Sequence, residues 1–242
     1  MTMVADWFEV TEFPDRVFRL REPALGPLHA ANIWLLVADR GALLIDAGVG
    51  VAALAPVVRG IADLPVVCLL THTHYDHIGG AHEFTDRRAH ALEAAALANP
   101  TPEATQWGGW LTADDFRHFP TPDYDFSRYA ITPAPASELV EEGIQIDFGG
   151  RAVTLLHTPG HSPGLICVLE EATNTLFSSD ALYDGRMFFD LAGSNRADAA
   201  ASVRRLIDID ARVVHPGHFG SLEREAFRRL GFATLARLSA AD

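Results

Sequence analysis

The chain has 242 residues, 48% of them hydrophobic, and a formal net charge of −13 at pH 7. All 19 basic residues are arginine, which excludes lysine Schiff-base chemistry, and an acidic surface repels phosphate backbones, which argues against a nucleic-acid partner. No apolar run is long enough for a membrane span, Met1–Glu12 has no apolar signal core, and two distant cysteines give no disulfide framework, so the expected setting is cytoplasmic.

In chain order, residues 8–21 alternate apolar and polar around Pro14-Asp15, which predicts two strands about a turn. Residues 33–38 and 42–45 predict a hairpin closed by Asp39-Arg40-Gly41. Residues 51–61 predict a short helix containing Pro56, and residues 65–70 a buried strand with Cys68 inside it. Residues 89–98, rich in Ala and Leu and stopped by Asn99-Pro100, predict a helix. From about 100 to 137 recurrent prolines break regular structure, while aromatics such as Trp107, Phe116, Phe119 and Tyr129 stud the stretch. This insertion reads as a lid or binding pocket, a satellite core or a homodimer contact. Strands return at 144–148, 152–156, 165–169 (with Cys167, a second buried hydrophobe) and 175–178, with a short one at 213–214. Helical spacing marks 197–207 and 222–238. The pattern predicts two packed sheets with helices outside, one domain over 1–242 carrying the aromatic-rich insertion.

The densest chemical signal is Thr71-His72-Thr73-His74-Tyr75-Asp76-His77-Ile78-Gly79-Gly80. Three imidazoles and a carboxylate fall within six residues, 72 to 77. Residues 72 and 74 project to one side of an extended chain, and Asp76 and His77 continue past the strand end. A lone histidine there is more often hydrogen-bonded or solvated, but such a cluster is hard to explain that way. Imidazole nitrogen and carboxylate oxygen suit zinc and other borderline divalent metals. Later segments give weaker signals: His161 on the Thr158–Gly164 turn, Asp180 after Ser178-Ser179, and His215-Pro216-Gly217-His218, where the turn favours His218. Together they supply a two-ion site, with His72, His74 and His161 on one ion, Asp76, His77 and His218 on the other, and Asp180 bridging.

The order His-x-His-x-Asp-His, then His, Asp and His on strand-end loops, resembles the metallo-β-lactamase-fold hydrolase superfamily from about residue 17 to about 220, Leu44-Ile45-Asp46-Ala47-Gly48 included. The resemblance implies an α+β fold, a four-layer αββα sandwich of two mixed sheets flanked by helices, with a dinuclear centre, usually zinc. It also implies that Asp46 supports a ligand from behind. Asp180 at the bridging position is similar to thioesterases, lactonases and related esterases rather than antibiotic-hydrolysing members. His74 stands where the flavodiiron branch has Glu. The lack of lysine and the short stretch after His218 differ from glyoxalase II enzymes, and no basic arm resembles the tRNA-processing nucleases. Tyr183 stands where lactonases carry a substrate-contacting Tyr, and Asp180-Ala181-Leu182-Tyr183-Asp184-Gly185 looks closest to acyl-CoA thioesterase-like members.

The expected activity is hydrolysis of a small-molecule acyl thioester, ester or lactone by a hydroxide bridging two divalent ions, most simply zinc. Asp76 would orient that hydroxide or shuttle a proton, and Tyr183 would donate to the developing oxyanion. The alternatives are an iron-dependent sulfur oxygenase or a non-catalytic metal-binding protein of the same fold. His29 reads as solvated near a cleft mouth, His157 as packing or ligand support, and His82, His90 and His118 as ordinary surface or packing residues.

Overall fold

The alternation at the start of the chain yields β1 (Glu9–Phe13) and β2 (Val17–Arg21), antiparallel about a tight turn at Pro14–Arg16. The computed structural model describes residues 7–240, so the first six residues of the supposed signal-free start lie outside the described residues. Next, β3 (Ile33–Val37) and β4 (Ala42–Ile45) form the predicted hairpin, buried along both strands. Burial on both faces is why these strands read as continuous apolar runs rather than as alternation.

A parallel neighbour needs a crossover, and α1 (Ala55–Ile61) provides it before β5 (Val66–Leu69) pairs with β4. The helix starts four residues later than the sequence suggested. Pro56 fits only the first turn, where its missing N–H costs nothing, and Glu83 accepts from the Leu54 and Ala55 N–H groups at 2.9 Å each. A single helical turn, α2 (Tyr75–Ile78), follows β5.

Residues 89–98 depart from the expected helix. The chain runs as β6 (Asp86–His90), parallel to β5, then a tight turn at Ala91–Glu93, and only then α3 (Ala94–Ala98). Alanines carry no strong period of their own, so strand pairing decided Ala89. The short β7 (Glu138–Val140), unanticipated at the end of the insertion, completes a seven-stranded sheet in the order β1-β2-β3-β4-β5-β6-β7.

The second sheet runs β13-β12-β11-β10-β9-β8. Its strands are β8 (Gln145–Asp147), β9 (Ala152–His157), β10 (Ile166–Glu170), β11 (Thr175–Ser179), β12 (Val213–Pro216) and β13 (Leu222–Glu223). Helix α4 (Arg196–Ile207) makes the crossover between the parallel pair β11 and β12, and α5 (Arg224–Ser239) follows β13. Asn195 caps α4 by accepting from the Ala197 and Asp198 N–H groups. The predicted helix at 222–238 loses its first two residues to β13, because they pair with Val213 and Val214.

The described chain divides into two compact units. Residues 7–89, 93–139 and 148–151 hold the seven-stranded sheet except the last residues of β6 and β7, and residues 90–92, 140–147 and 152–240 hold the six-stranded sheet. The first has a core around Leu35, Leu44, Val49, Cys68 and Leu70, joined by the aromatics of the insertion. The second is built around Leu156, Cys167, Leu176, Val203, Leu206 and Phe227. Two mixed sheets with flanking helices are the fold the sequence resemblance implied. No described helix is long and apolar enough to cross a membrane.

Candidate metal centre

In the first unit the donors sit where β5 ends. The chain stays extended through His74, with φ −68° and ψ 149°, before α2 turns it. His72 lies with its ring centroid 4.6 Å from that of His74 and 4.1 Å from that of His77. All three rings and Asp76 are buried. His77 Nε2 is 3.9 Å from Asp76 Oδ2.

Asp46, just past β4, fixes this cluster from behind. Its Oδ1 accepts from the Thr71 N–H at 2.8 Å, and its Oδ2 accepts from Thr71 Oγ1 at 2.9 Å and from His77 Nδ1 at 2.7 Å. Thr71 thereby spends its one hydroxyl proton on Asp46, so its oxygen accepts from His72 Nδ1 at 3.1 Å. Both imidazoles are held in the tautomer that offers Nε2 to an ion. The glycines that end the motif let two loops meet. The Gly79 N–H donates to the Gly48 carbonyl at 2.7 Å, and a Cβ on Gly79 would overlap the Val49 backbone.

Three further contacts escaped the sequence reading. Thr73, between the first two histidines, donates its hydroxyl to the buried Glu93. The Tyr75 hydroxyl and His29 Nδ1 are hydrogen-bonded at 2.6 Å, and His29 Nε2 is 3.5 Å from Asp115 Oδ1, so His29 is bound into the motif rather than solvated. Glu22 is fully buried, accepting from Trp7 Nε1 and the Val49 N–H at 2.9 Å each. Burial pushes its carboxyl up to about 7 against the pull of those two donors, and the Asp76 charge adds to the rise.

The insertion contributes a packed aromatic cluster to this unit. Phe116, Phe119, Phe126 and Tyr129 meet at centroid distances of 5.0 to 6.1 Å, Trp7 reaches Phe116 at 6.3 Å, and the Tyr129 hydroxyl donates to the Val49 carbonyl at 2.9 Å.

In the second unit the donors come from three separate strand ends. His161 stands on the turn after β9. Gly160, at φ 138°, lies so close to α4 that a Cβ would overlap Ala199. His161 Nδ1 donates to the Phe188 carbonyl at 2.9 Å, again turning Nε2 toward an ion. Asp180 follows β11, and its Oδ2 is 3.5 Å from His161 Nε2 and 3.4 Å from His218 Nε2. Gly217 packs against the same carboxylate, since a Cβ there would overlap Asp180 Oδ1. His215 does not join them: its Nδ1 bonds to Ser221 Oγ at 2.7 Å and its ring rests on Phe177. His157 bonds to the Pro163 carbonyl at 2.9 Å and stacks on His90 at 4.3 Å.

Tyr183 is buried with its ring centroid 5.2 Å from that of His218, and its hydroxyl donates to the Arg186 carbonyl at 2.7 Å. Both cysteines are free and buried. Burial raises the Cys167 thiol to about 12 and the Cys68 thiol further still, so neither offers a thiolate near neutrality.

Each unit therefore presents buried imidazoles beside a carboxylate, with the tautomer set at His72 and His77 in the first and at His161 in the second, a donor chemistry that fits borderline divalent cations. The family model described as "Metallo-beta-lactamase superfamily" matches residues 26–218. The chain is 34% identical, over 93% of its length and 85% of the relative's, to the "Acyl-coenzyme A thioesterase MBLAC2" of Gallus gallus. It superposes on a metallo-beta-lactamase family protein of Thermus thermophilus with a TM-score of 0.66 at 22% identity, covering 97% of this chain and 79% of that one. A crystal structure of TTHA1623 in a di-iron-bound form gives a TM-score of 0.64 at 27% identity, covering 86% and 96%. The chain belongs to the metallo-β-lactamase superfamily, and it is a hydrolase.

Proposed function

We propose that the chain hydrolyses acyl thioesters of the acyl-CoA type at a centre of two divalent cations, its two units acting as one catalytic domain. His72, His74 and His161 would hold one cation, Asp76, His77 and His218 the other, and Asp180 would serve both. The observation that carries the reading is the preset tautomer of His72, His77 and His161, each with Nδ1 engaged by a fixed acceptor. Such supporting bonds are what metal-binding histidines need. The acyl-coenzyme A thioesterase relative supports the choice of substrate.

Bound divalent ions supply an activated water near neutral pH and polarise the carbonyl under attack. Asp76 orients that water and carries its proton to the departing thiolate. Asp46 and Thr71 keep His77 and His72 from turning. Tyr183 has one proton, given to the Arg186 carbonyl, so it serves an oxyanion only by releasing that bond. Two buried free cysteines fit a reducing compartment, and the cytoplasm is the proposed location.

Zinc is the proposed metal on ligand chemistry. The test is metal analysis together with a panel of acyl-CoA, ester and lactone substrates. We expect about two zinc ions per chain, loss of thioester hydrolysis on chelation and its recovery on adding zinc. Full activity after chelation, or an oxygen-consuming enzyme with about one iron per chain, would overturn the reading.

A further inference from the structure

We infer that Arg186 binds the phosphate groups of the thiol carrier, so that the loop after Asp180 selects an acyl-CoA over a phosphate-free thioester. The inference rests on the thioesterase reading and specifies how that substrate is recognised.

The loop is built rather than loose. The buried Tyr183 donates to the Arg186 carbonyl at 2.7 Å, and His161 Nδ1 donates to the Phe188 carbonyl at 2.9 Å. Two carbonyls, two residues apart, are thus held by two buried side chains. Each holding group lies at the proposed centre, His161 as a ligand and Tyr183 with its ring 5.2 Å from that of His218. Gly185 lets the chain lie against Phe219, because a Cβ there would overlap the Phe219 ring.

On this frame the Arg186 side chain places its guanidinium carbon 5.0 Å from the centroid of the Phe188 ring. The ring face attracts the cation and restricts it without neutralising it. The outcome is an exposed guanidinium held over the ring of Phe188, the residue whose carbonyl orients His161.

The electrostatics of the whole chain favour such a group. A net charge of −13 with no lysine repels a carrier that bears a diphosphate and a further phosphate. Recognition must therefore act at short range, and guanidinium meets phosphate through paired N–H bonds. Asp184 and Asp190 on the same loop are exposed acids, so the loop is no general basic patch. Selectivity rests on where Arg186 is held.

The test compares, on the holoenzyme, KM for an acyl-CoA and for the same acyl group on N-acetylcysteamine. Calorimetry of CoA against pantetheine binding runs in parallel. Arg186→Gln is expected to raise KM for the acyl-CoA roughly 10- to 100-fold, the range for a lost charged hydrogen bond, bringing the two KM values together. Arg186→Lys keeps the charge without the fork and recovers part of the difference. CoA binding should weaken in step with KM. Equal rises for both thioesters would make Arg186 a structural support of the loop and overturn the inference, as would no change in either. If the wild type cleaves neither thioester, the thioesterase reading falls. Calorimetry then decides alone: CoA binding lost in Arg186→Gln keeps the phosphate site, and unchanged binding removes it.

Discussion

The two units supply proposed ligands in opposite ways. The first offers His72, His74, Asp76 and His77 from one continuous stretch, positioned by the end of β5 and the single turn of α2. The second offers His161, Asp180 and His218 from three strand ends far apart in sequence, gathered by pairing of β9, β10, β11 and β12. The local set owes its shape to a short backbone path and to Asp46 behind it. The gathered set owes its shape to the sheet and to close backbone approaches at Gly160 and Gly217. A local set should therefore tolerate distortion of its sheet better than a gathered one, while each remains sensitive to its own central carboxylate.

The strongest way to break this contrast is Asp180→Ala, which removes the carboxylate between His161 and His218. Its loss should cut kcat/KM for a thioester by more than the roughly 10- to 100-fold typical of losing a residue behind a ligand, with metal content falling alongside. Asp46→Asn is the matching change in the first unit. Its amide turns an N–H toward His77 Nδ1, which favours the tautomer protonated at Nε2 and so blocks the proposed ligand nitrogen. The expected cost is about 10- to 100-fold in metal affinity or activity, read by metal titration and steady-state kinetics. Equal losses from both variants would erase the distinction between ligand and support.

Glu22 sharpens the comparison through pH. Its folded-state carboxyl is raised to about 7 from an ordinary 4.5, chiefly by burial. A raised folded value means that its contribution is fully present below the unfolded value and is lost as pH rises toward about 7. The loss amounts to roughly a few kcal/mol. In Glu22→Gln the amide costs a pH-independent amount, because Trp7 Nε1 and the Val49 N–H are both donors. The readout is therefore slope. Between the unfolded value of 4.5 and the folded value of about 7, melting temperature should fall less steeply with pH in the variant than in the wild type. Identical slopes would remove Glu22 as the cause.

The smallest expected effects are those of two glycine replacements, the larger of them Gly217→Ala. The added methyl meets Asp180 Oδ1 and the Ser179 backbone, an overpacking that typically costs about 1–3 kcal/mol. Gly60→Ala, in α1 with open space around it, should instead gain about 0.5–1 kcal/mol of helix stability. Thermal melts of the two variants test whether tight glycine contacts, rather than glycine content, limit the protein.

Much of this was legible in the chain. Alternation and apolar runs marked the hairpins at residues 8–21 and 33–45, because side-chain burial repeats every two residues in a half-buried strand and continuously in a covered one. The His-rich motif was legible because its donors are neighbours in sequence. Pro216-Gly217 distinguished His218 from His215 in the sequence, since a turn re-aims the side chain that follows it, and in the fold His218 faces Asp180 while His215 bonds to Ser221. Residues 89–98 were not legible as a strand, because alanine serves either period and only β5 beside it settled the choice. Likewise His29 gave no sign of its bond to Tyr75, which spans 46 positions.

By itself the sequence determined the donor types, the acidic and lysine-free character and the local run from Thr71 to Gly80, all of which follow from covalent order and side-chain chemistry. Tertiary structure alone decided which tautomers are offered, that Asp180 lies between His161 and His218, and that Tyr183 and His161 clamp the loop bearing Arg186. Most of those contacts join side chains distant in the chain, and the two that clamp the loop end on backbone carbonyls, which every residue possesses. Only folding selects which carbonyl meets which donor.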